Sequence, residues 1–177
     1  MKRSRMHFIK IKNKIKKFNK IISIEGDKSL SIRWALIASQ SNSKSKSVNL
    51  LLSEDVINTL KCLRKLGVKV TISKKFCEIN GVGLNGFKYK KNLILNAGNS
   101  GTLGRLIMGL LTHSENPIKL KGDKSLSKRD FFRIIKPLKK FGAAFKSNHG
   151  KLPITIKGTN SPNPIVFNET KGSAQVK

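Results

Sequence analysis

Two stretches of this chain carry nearly the same eight residues, GDKSLSIR at 26–33 and GDKSLSKR at 122–129. A third, GNSGTLGR at 98–105, follows the same pattern: glycine, small hydroxyl residues and a closing arginine. All three suit an anion. Glycine lets the backbone turn tightly. Ser or Thr caps a helix start or donates to an oxyanion. A helix N-terminus exposes free N–H groups and partial positive charge. Lys28 adds a point charge. Arg33 falls four residues after Ser29 and so shares its helical face, and helical side chains lean back toward the N-terminus. Arg105 stands in the same relation to Gly101, and Lys128 and Arg129 close the last copy. The planar fork of arginine matches carboxylate and phosphate. One such helix start, taken alone, reads as a cap beside a solvated arginine. Three in one chain read as a site for a polyanionic ligand.

The elements that must position these residues repeat along the chain. NKIISIE (19–25) reads as a strand and SLSIRWALIASQ (29–40) as a helix, followed by a strand at 47–52. Residues 53–67 have the marks of a complete helix: Ser53 as N-cap, acids in the first turn, basic residues in the last and Gly67 as the stop. VKVTIS and FCEINGVG form a hairpin. The second half follows the same order, with a strand at 92–96, a helix at 100–113, a strand at PIKLKG, a helix at 126–142 containing Pro137, and two closing strands. Gly26 and Arg33 align with Gly98 and Arg105, and Gly67 with Gly142, at offsets of some seventy residues. The fold class is therefore α/β, built of βαβαββ units at about 19–90 and 91–160 with the start of a third, after a basic N-terminal segment at 1–18. Such repeats stack to share one core. The two GDKSLS copies do not occupy equivalent places in this repeat. The first opens the first helix of the first unit and the second opens the second helix of the second unit, so the shared chemistry points to a shared kind of ligand.

Composition narrows the function. The chain has 37 Lys and Arg against 9 Asp and Glu, a net charge of +28. That balance suits either nucleic acid or a small anionic substrate. The lysines are spread over every segment, and one Trp, one Tyr and nine Phe give little aromatic surface on which bases could stack, which favours the small anion. Cys62 and Cys77 have no CxxC spacing and read as free thiols in a reducing, cytoplasmic compartment. His7, His113 and His149 lie far apart, with no metal-ligand spacing. No apolar run reaches membrane-spanning length, and the basic start has no apolar stretch of the kind a secretory signal needs. GVGLNG (81–86) matches a dinucleotide-binding pattern, but FKYKKNLILN follows it where that pattern needs a helix.

GDKSLSIR, LNAGNSGTLGRL, GDKSLSKR and the terminal GSAQVK, in this order and spacing, resemble the enolpyruvyl transferases, and within them the branch that acts on shikimate 3-phosphate. The resemblance covers roughly residues 19–177. It implies βαβαββ units arranged in two lobes, with substrates bound between them. It also implies transfer of the enolpyruvyl group of phosphoenolpyruvate to the 5-hydroxyl of shikimate 3-phosphate with release of phosphate, by a monomer that uses neither cofactor nor metal. Carried onto matching positions, it implies that Lys28, Ser29, Arg33, Ser173, Ala174 and Gln175 hold shikimate 3-phosphate. Lys28, Gly101 and Arg129 would hold phosphoenolpyruvate, with Asn99, Thr102 and Arg105 close by. Ile32 and Trp34 depart from the family's usual polar and small residues, and Asp130 stands where a proline is usual. Family members run to more than twice this length and carry their catalytic Asp, Glu and Lys in the other half, so the chain reads as an N-terminal fragment, inactive by itself. The alternatives are the related transferase acting on UDP-N-acetylglucosamine, for which an AKN motif would be expected in place of DKS, and a non-enzymatic basic module that binds nucleic acid.

Overall fold

The first regular element is α1, Lys28–Ser39, within a residue of its expected span. It buries Ile32, Ala35 and Leu36 and leaves Leu30 and Ile37 outside. Ser41 to Ser43 turn the chain into β1, Lys44–Val48. The helix α2 covers Glu54–Lys65, with Glu54 and Asp55 in its first turn and Arg64 and Lys65 in its last. Gly67, at φ +88°, ends it, and the carbonyl of the preceding Leu66 accepts from Lys88 N at 2.9 Å. The hairpin β2 (Lys69–Ile72) and β3 (Phe76–Asn80) follows. In the second half come β4 (Ile94–Asn96), α3 (Gly101–Leu110), β5 (Ile118–Lys121), α4 (Phe132–Phe141), β6 (Ala144–Asn148) and β7 (Lys151–Lys157). These assignments come from a computed structural model, which describes residues 9, 10, 12, 14, 17, 19–73, 75–169 and 172–176. Most of the basic segment expected at 1–18 lies outside them.

The strands form two sheets, one in the order β1-β3-β2 and the other β4-β5-β7-β6. In the first sheet β3 pairs antiparallel with both neighbours. In the second, β4 and β5 are parallel and the other pairs antiparallel. The second half thus has the element order βαβαββ. The first half has the same order without its opening strand, because residues 19–27 form no strand. Ile21, Ile22 and Ile24 there are exposed, so the alternating apolar pattern has no sheet to join. The strand expected at 47–52 instead occupies 44–48. Asn49, at φ +57°, turns the backbone out of the extended region and ends it.

The helices join the two sheets. α1 packs on α2 and α3, and α2 reaches β4. Leu60 and Leu63 from α2, Leu103 and Ile107 from α3, and Leu95 and Leu120 from the second sheet are all fully buried in one apolar cluster. Polar links cross the same seam. Cys62 Sγ donates to Asn96 O at 3.4 Å, and Lys65 Nζ donates to Ile94 O at 3.1 Å. The loop before α3 is thereby held against α2.

Candidate functional site

The two GDKSLS copies begin with the same turn. Asp27 Oδ1 accepts from Leu30 N at 2.7 Å, and Asp123 Oδ1 accepts from Leu126 N at 2.7 Å. Ser31 N donates to Asp27 O and Ser127 N to Asp123 O, both at 3.0 Å. The cap in each copy is the aspartate, as Asp side chains commonly serve. The copies then diverge. The first runs on as α1. The second makes a single 3-10 turn over Leu126–Lys128, and Arg129 leaves it extended at φ −76° and ψ 148°. The helix expected from residue 126 starts only at Phe132. Asp130 accounts for the break: its Oδ1 accepts from Phe132 N at 2.7 Å, a local side-chain bond that competes with helix and favours a fresh start. Arg129 therefore lies in the connection between two turns and not on a helix. In the third stretch Ser100 is the N-cap of α3, its Oγ accepting from Leu103 N at 3.2 Å.

These starts converge on one cleft of about 290 Å³. α1 brings Lys28 to it. The start of α3 brings Asn99, Gly101, Thr102 and Arg105, and the segment leaving the 3-10 turn at 126–128 brings Arg129. Gln175 arrives from the C-terminal segment, where Ser173 Oγ donates to Gln175 Oε1 at 3.2 Å and Val176 N donates to Ser173 O at 3.2 Å. The remaining wall residue is Asp55, from the first turn of α2. Of the residues expected in the site, Ser29, Arg33, Ser173 and Ala174 are not on this wall. Ser29 and Arg33 are half-buried on α1, and the side chain of neither makes a hydrogen bond or ion pair with another described residue.

The electrostatics suit an anion. Three cations face one carboxylate. Lys28 Nζ lies 3.1 Å from Asp55 Oδ2. Arg105 is held at both ends, with Nη1 donating to Gly101 O at 3.2 Å and Nη2 to Asp130 O at 3.4 Å. Its guanidinium carbon sits 5.0 Å from the ring centre of the buried Phe131, a favourable cation–π placement. Burial, followed by the positive charges of Arg129 and Arg133, pulls the Arg105 pKa down, while Asp130 opposes this. Arginine remains charged all the same. A ligand oxyanion near Arg105 and Arg129 would offset their mutual repulsion. Gly101 lies between the two: a Cβ there would come within 2.9 Å of Arg105 Nη1 and 3.0 Å of Arg129 Nη1. Gly26 is needed for a different reason, since a Cβ there would run into the Asn49 carbonyl.

Two residues that the sequence did not mark as functional belong to this arrangement. Asp55 reads in sequence as a first-turn acid, and only the packing of α1 on α2 sets it beside Lys28. Asp123 reads as a cap, yet its Oδ2 also accepts from Asn99 Nδ2 at 2.6 Å. The Leu126 N–H, then the Asn99 amide, hold its carboxyl below the ordinary 3.8, with smaller help from Ser125 N–H and Arg129. The larger depressions lie elsewhere. One of about 450 Å³ is bordered by Gly26, Leu51 and Phe76, and one of about 580 Å³ by Phe87, Tyr89 and His113. Neither gathers the cations, so size alone does not identify the site. Among the described residues no group of three His, Cys, Asp or Glu could hold a metal ion, and no helix is long and apolar enough to cross a membrane.

Comparison with known proteins gives a consistent result. The family model described as EPSP synthase (3-phosphoshikimate 1-carboxyvinyltransferase) matches residues 12–177. The chain is similar to the 3-phosphoshikimate 1-carboxyvinyltransferase of Ruthia magnifica subsp. Calyptogena magnifica, at 44% identity over 156 residues, covering 88% of this chain and 36% of the relative. The protein of that name from Desulforamulus reducens is 38% identical over 170 residues, covering 93% and 39%. Among solved structures, EPSP synthase from Acinetobacter baumannii superposes with a TM-score of 0.80 at 34% identity, covering 88% of this chain and 36% of that one. The chain thus spans a little over a third of the length of the relatives it matches.

Proposed function

This chain belongs to the EPSP synthase (3-phosphoshikimate 1-carboxyvinyltransferase) family, and on that premise we propose that it supplies the anion-binding wall of an enolpyruvyl transferase. The reaction moves the enolpyruvyl group of phosphoenolpyruvate onto the 5-hydroxyl of shikimate 3-phosphate and releases inorganic phosphate. Lys28 serves both substrates. Gly101 and Arg129, with Asn99, Thr102 and Arg105, take the phosphate and carboxylate of phosphoenolpyruvate. Ser29, Arg33, Ser173, Ala174 and Gln175 take shikimate 3-phosphate. The protein acts as a cytoplasmic monomer on small anions, and its units at about 19–90 and 91–160 form part of one lobe.

The observation that carries this reading is the convergence of Lys28, Arg105, Arg129 and Gln175, from four separate segments, on one cleft. The arrangement binds and orients. Preorganised cations hold charge where it sits on the substrates and where it develops on the leaving phosphate. Proton transfer is a different requirement. The addition needs a proton delivered to the methylene carbon and one taken from the hydroxyl, by groups within hydrogen-bond reach. Among the described residues the one carboxylate on the cleft wall, Asp55, is already paired with Lys28. We therefore expect these 177 residues to bind substrate without turnover.

Calorimetry on the purified chain tests the reading. Shikimate 3-phosphate is expected to bind about tenfold or more tightly than shikimate, as the loss of charge-assisted hydrogen bonds implies. Equal affinity for the two would sink the phosphate assignment. Phosphate release that depends on both substrates and is abolished by Lys28→Ala would overturn the expectation of binding without turnover.

A further inference from the structure

The two aspartate caps differ in one respect. Each uses one carboxylate oxygen on the amide three residues on. Among the described residues the other oxygen of Asp27 has no partner, whereas Asp123 Oδ2 reaches across to Asn99 at 2.6 Å. Capping needs a single acceptor, and Asn, Ser or Asp serves it almost equally. The second oxygen of Asp123 therefore has a separate role.

Its surroundings indicate what that role is. β4 and β5 run parallel and end side by side, and their exits stay linked. Ala97 N donates to Lys121 O at 2.8 Å, and Asp123 N donates to Gly98 O at 2.8 Å. Beyond these bonds the two loops part, one into α3 with Gly101 and Arg105, the other into the turn that ends at Arg129. The Asp123–Asn99 bond links them again through side chains, as the bond from Arg105 to the Asp130 carbonyl does further on. An ionised carboxylate only accepts, so it can face only the NH₂ end of the Asn99 amide. That sets Nδ2 on the Asp123 side and Oδ1 away from it. Both residues are exposed, so the bond contributes little to stability, and its consequence is orientation.

We propose that Asp123 is a positioning residue for the anion cleft: its second carboxylate oxygen fixes the Asn99 amide in one orientation and ties the start of α3 to the Arg129 turn. The effect on ligand affinity rests on the proposed function above, while the orientation of Asn99 does not. A cleft whose polar groups are already set loses less freedom on binding.

The test compares the 177-residue chain with Asp123→Ser, which keeps a capping oxygen and removes the second acceptor. Asp27→Ser, which alters the equivalent cap where no second partner exists among the described residues, serves as the control. Three quantities are read: the thermal midpoint, the Asn99 side-chain amide signals in a nitrogen–proton spectrum, and the dissociation constant for phosphoenolpyruvate. In Asp123→Ser the midpoint is expected to match that of Asp27→Ser. The Asn99 amide protons should move upfield and exchange faster with water, and phosphoenolpyruvate should bind about tenfold more weakly. In Asp27→Ser the Asn99 signals should stay in place. Unmoved Asn99 signals in Asp123→Ser would overturn the inference, as would an affinity equal to that of the unaltered chain. If the unaltered chain fails to bind phosphoenolpyruvate, the proposed function fails, and the Asn99 spectrum still decides the orientation.

Discussion

Gly101 shows how one residue type sets the chemistry of the site. Its missing side chain leaves room for the terminal nitrogens of Arg105 and Arg129, which a Cβ would approach at 2.9 and 3.0 Å. Both neighbours are the tips of long side chains, that of Arg105 hydrogen-bonded to the Gly101 and Asp130 carbonyls, so Gly101→Ala displaces guanidiniums and not backbone. Alanine also favours the first turn of α3 over glycine, by up to about 1 kcal/mol. The two effects have opposite signs on different properties. Gly101→Ala is expected to leave the urea midpoint unchanged or slightly raised while weakening phosphoenolpyruvate binding several-fold, as calorimetry and denaturation of one preparation would measure. A fall in both would mean that the backbone, and not the arginines, absorbs the methyl group. Asp55 illustrates the converse case. Its carboxylate pairs with Lys28, so an incoming anion must compete for that lysine.

At the scale of elements, the same six residues lead to two outcomes. GDKSLS starts α1 in one place and a single 3-10 turn in the other. The difference arises after the motif. Trp34, Ala35 and Leu36 continue the first copy with residues that face the core or prefer helix. Asp130 interrupts the second by accepting from Phe132 N, and Phe131 then plugs the core at 0% exposure. Asp130 stands where the family resemblance leads one to expect proline, and each suits a helix start by a different route, the aspartate by accepting a hydrogen bond and proline by its fixed φ. Asp130→Ala removes the acceptor. It is expected to destabilise the fold by about 0.5–2 kcal/mol, read as a lower urea midpoint. The Arg105 bond should survive, because Arg105 donates to the Asp130 backbone carbonyl and not to its side chain. Destabilisation of less than a few tenths of a kcal/mol would show that solvent caps α4 equally well.

For the whole molecule, the seam between the two sheets sets the spacing of the site, since Lys28 and Asp55 come from one side of it and Asn99, Arg105 and Arg129 from the other. Cys62 lies at this seam, 2% exposed, with its thiol on the Asn96 carbonyl. Burial raises its pKa to about 11, against smaller lowering effects from Asn96 and Lys65. Burial also raises the Cys77 pKa, and Cys77 is 1% exposed. Raised pKa values leave both thiols protonated at pH 8, and thiolate is the reactive form. In the native chain iodoacetamide at pH 8 is therefore expected to label neither cysteine faster than the chain opens, and both should react at once in denaturant. Mass spectrometry of quenched time points would measure this. Rapid native labelling of Cys62 alone would show that the seam opens locally, and with it the cleft.

Local order was legible in the sequence wherever a local cause produces it. The spans of α1 and α2, the hairpin of β2 and β3, the caps at Asp27, Ser100 and Asp123 and the glycine stops all follow from contacts within a few residues, whereas Ser53 stands at the start of α2 without a side-chain capping bond among the described residues. The residue types at the three helix starts suggested an anionic ligand, but packing decided which arginines reach the cleft: Arg105 and Arg129 line it and Arg33 does not. The strand read at 19–25 required a neighbouring strand that the described residues do not supply, and an alternating apolar pattern cannot reveal whether a partner exists. The extended path of Arg129 depended on a competition between Asp130 and helix propensity that single-residue preferences do not settle. The Lys28–Asp55 and Asn99–Asp123 pairs join segments far apart in the chain. Only the packing of α1 on α2 and the parallel exits of β4 and β5 bring them within reach, because a bond of about 3 Å depends on where whole elements sit and not on the residues that flank it.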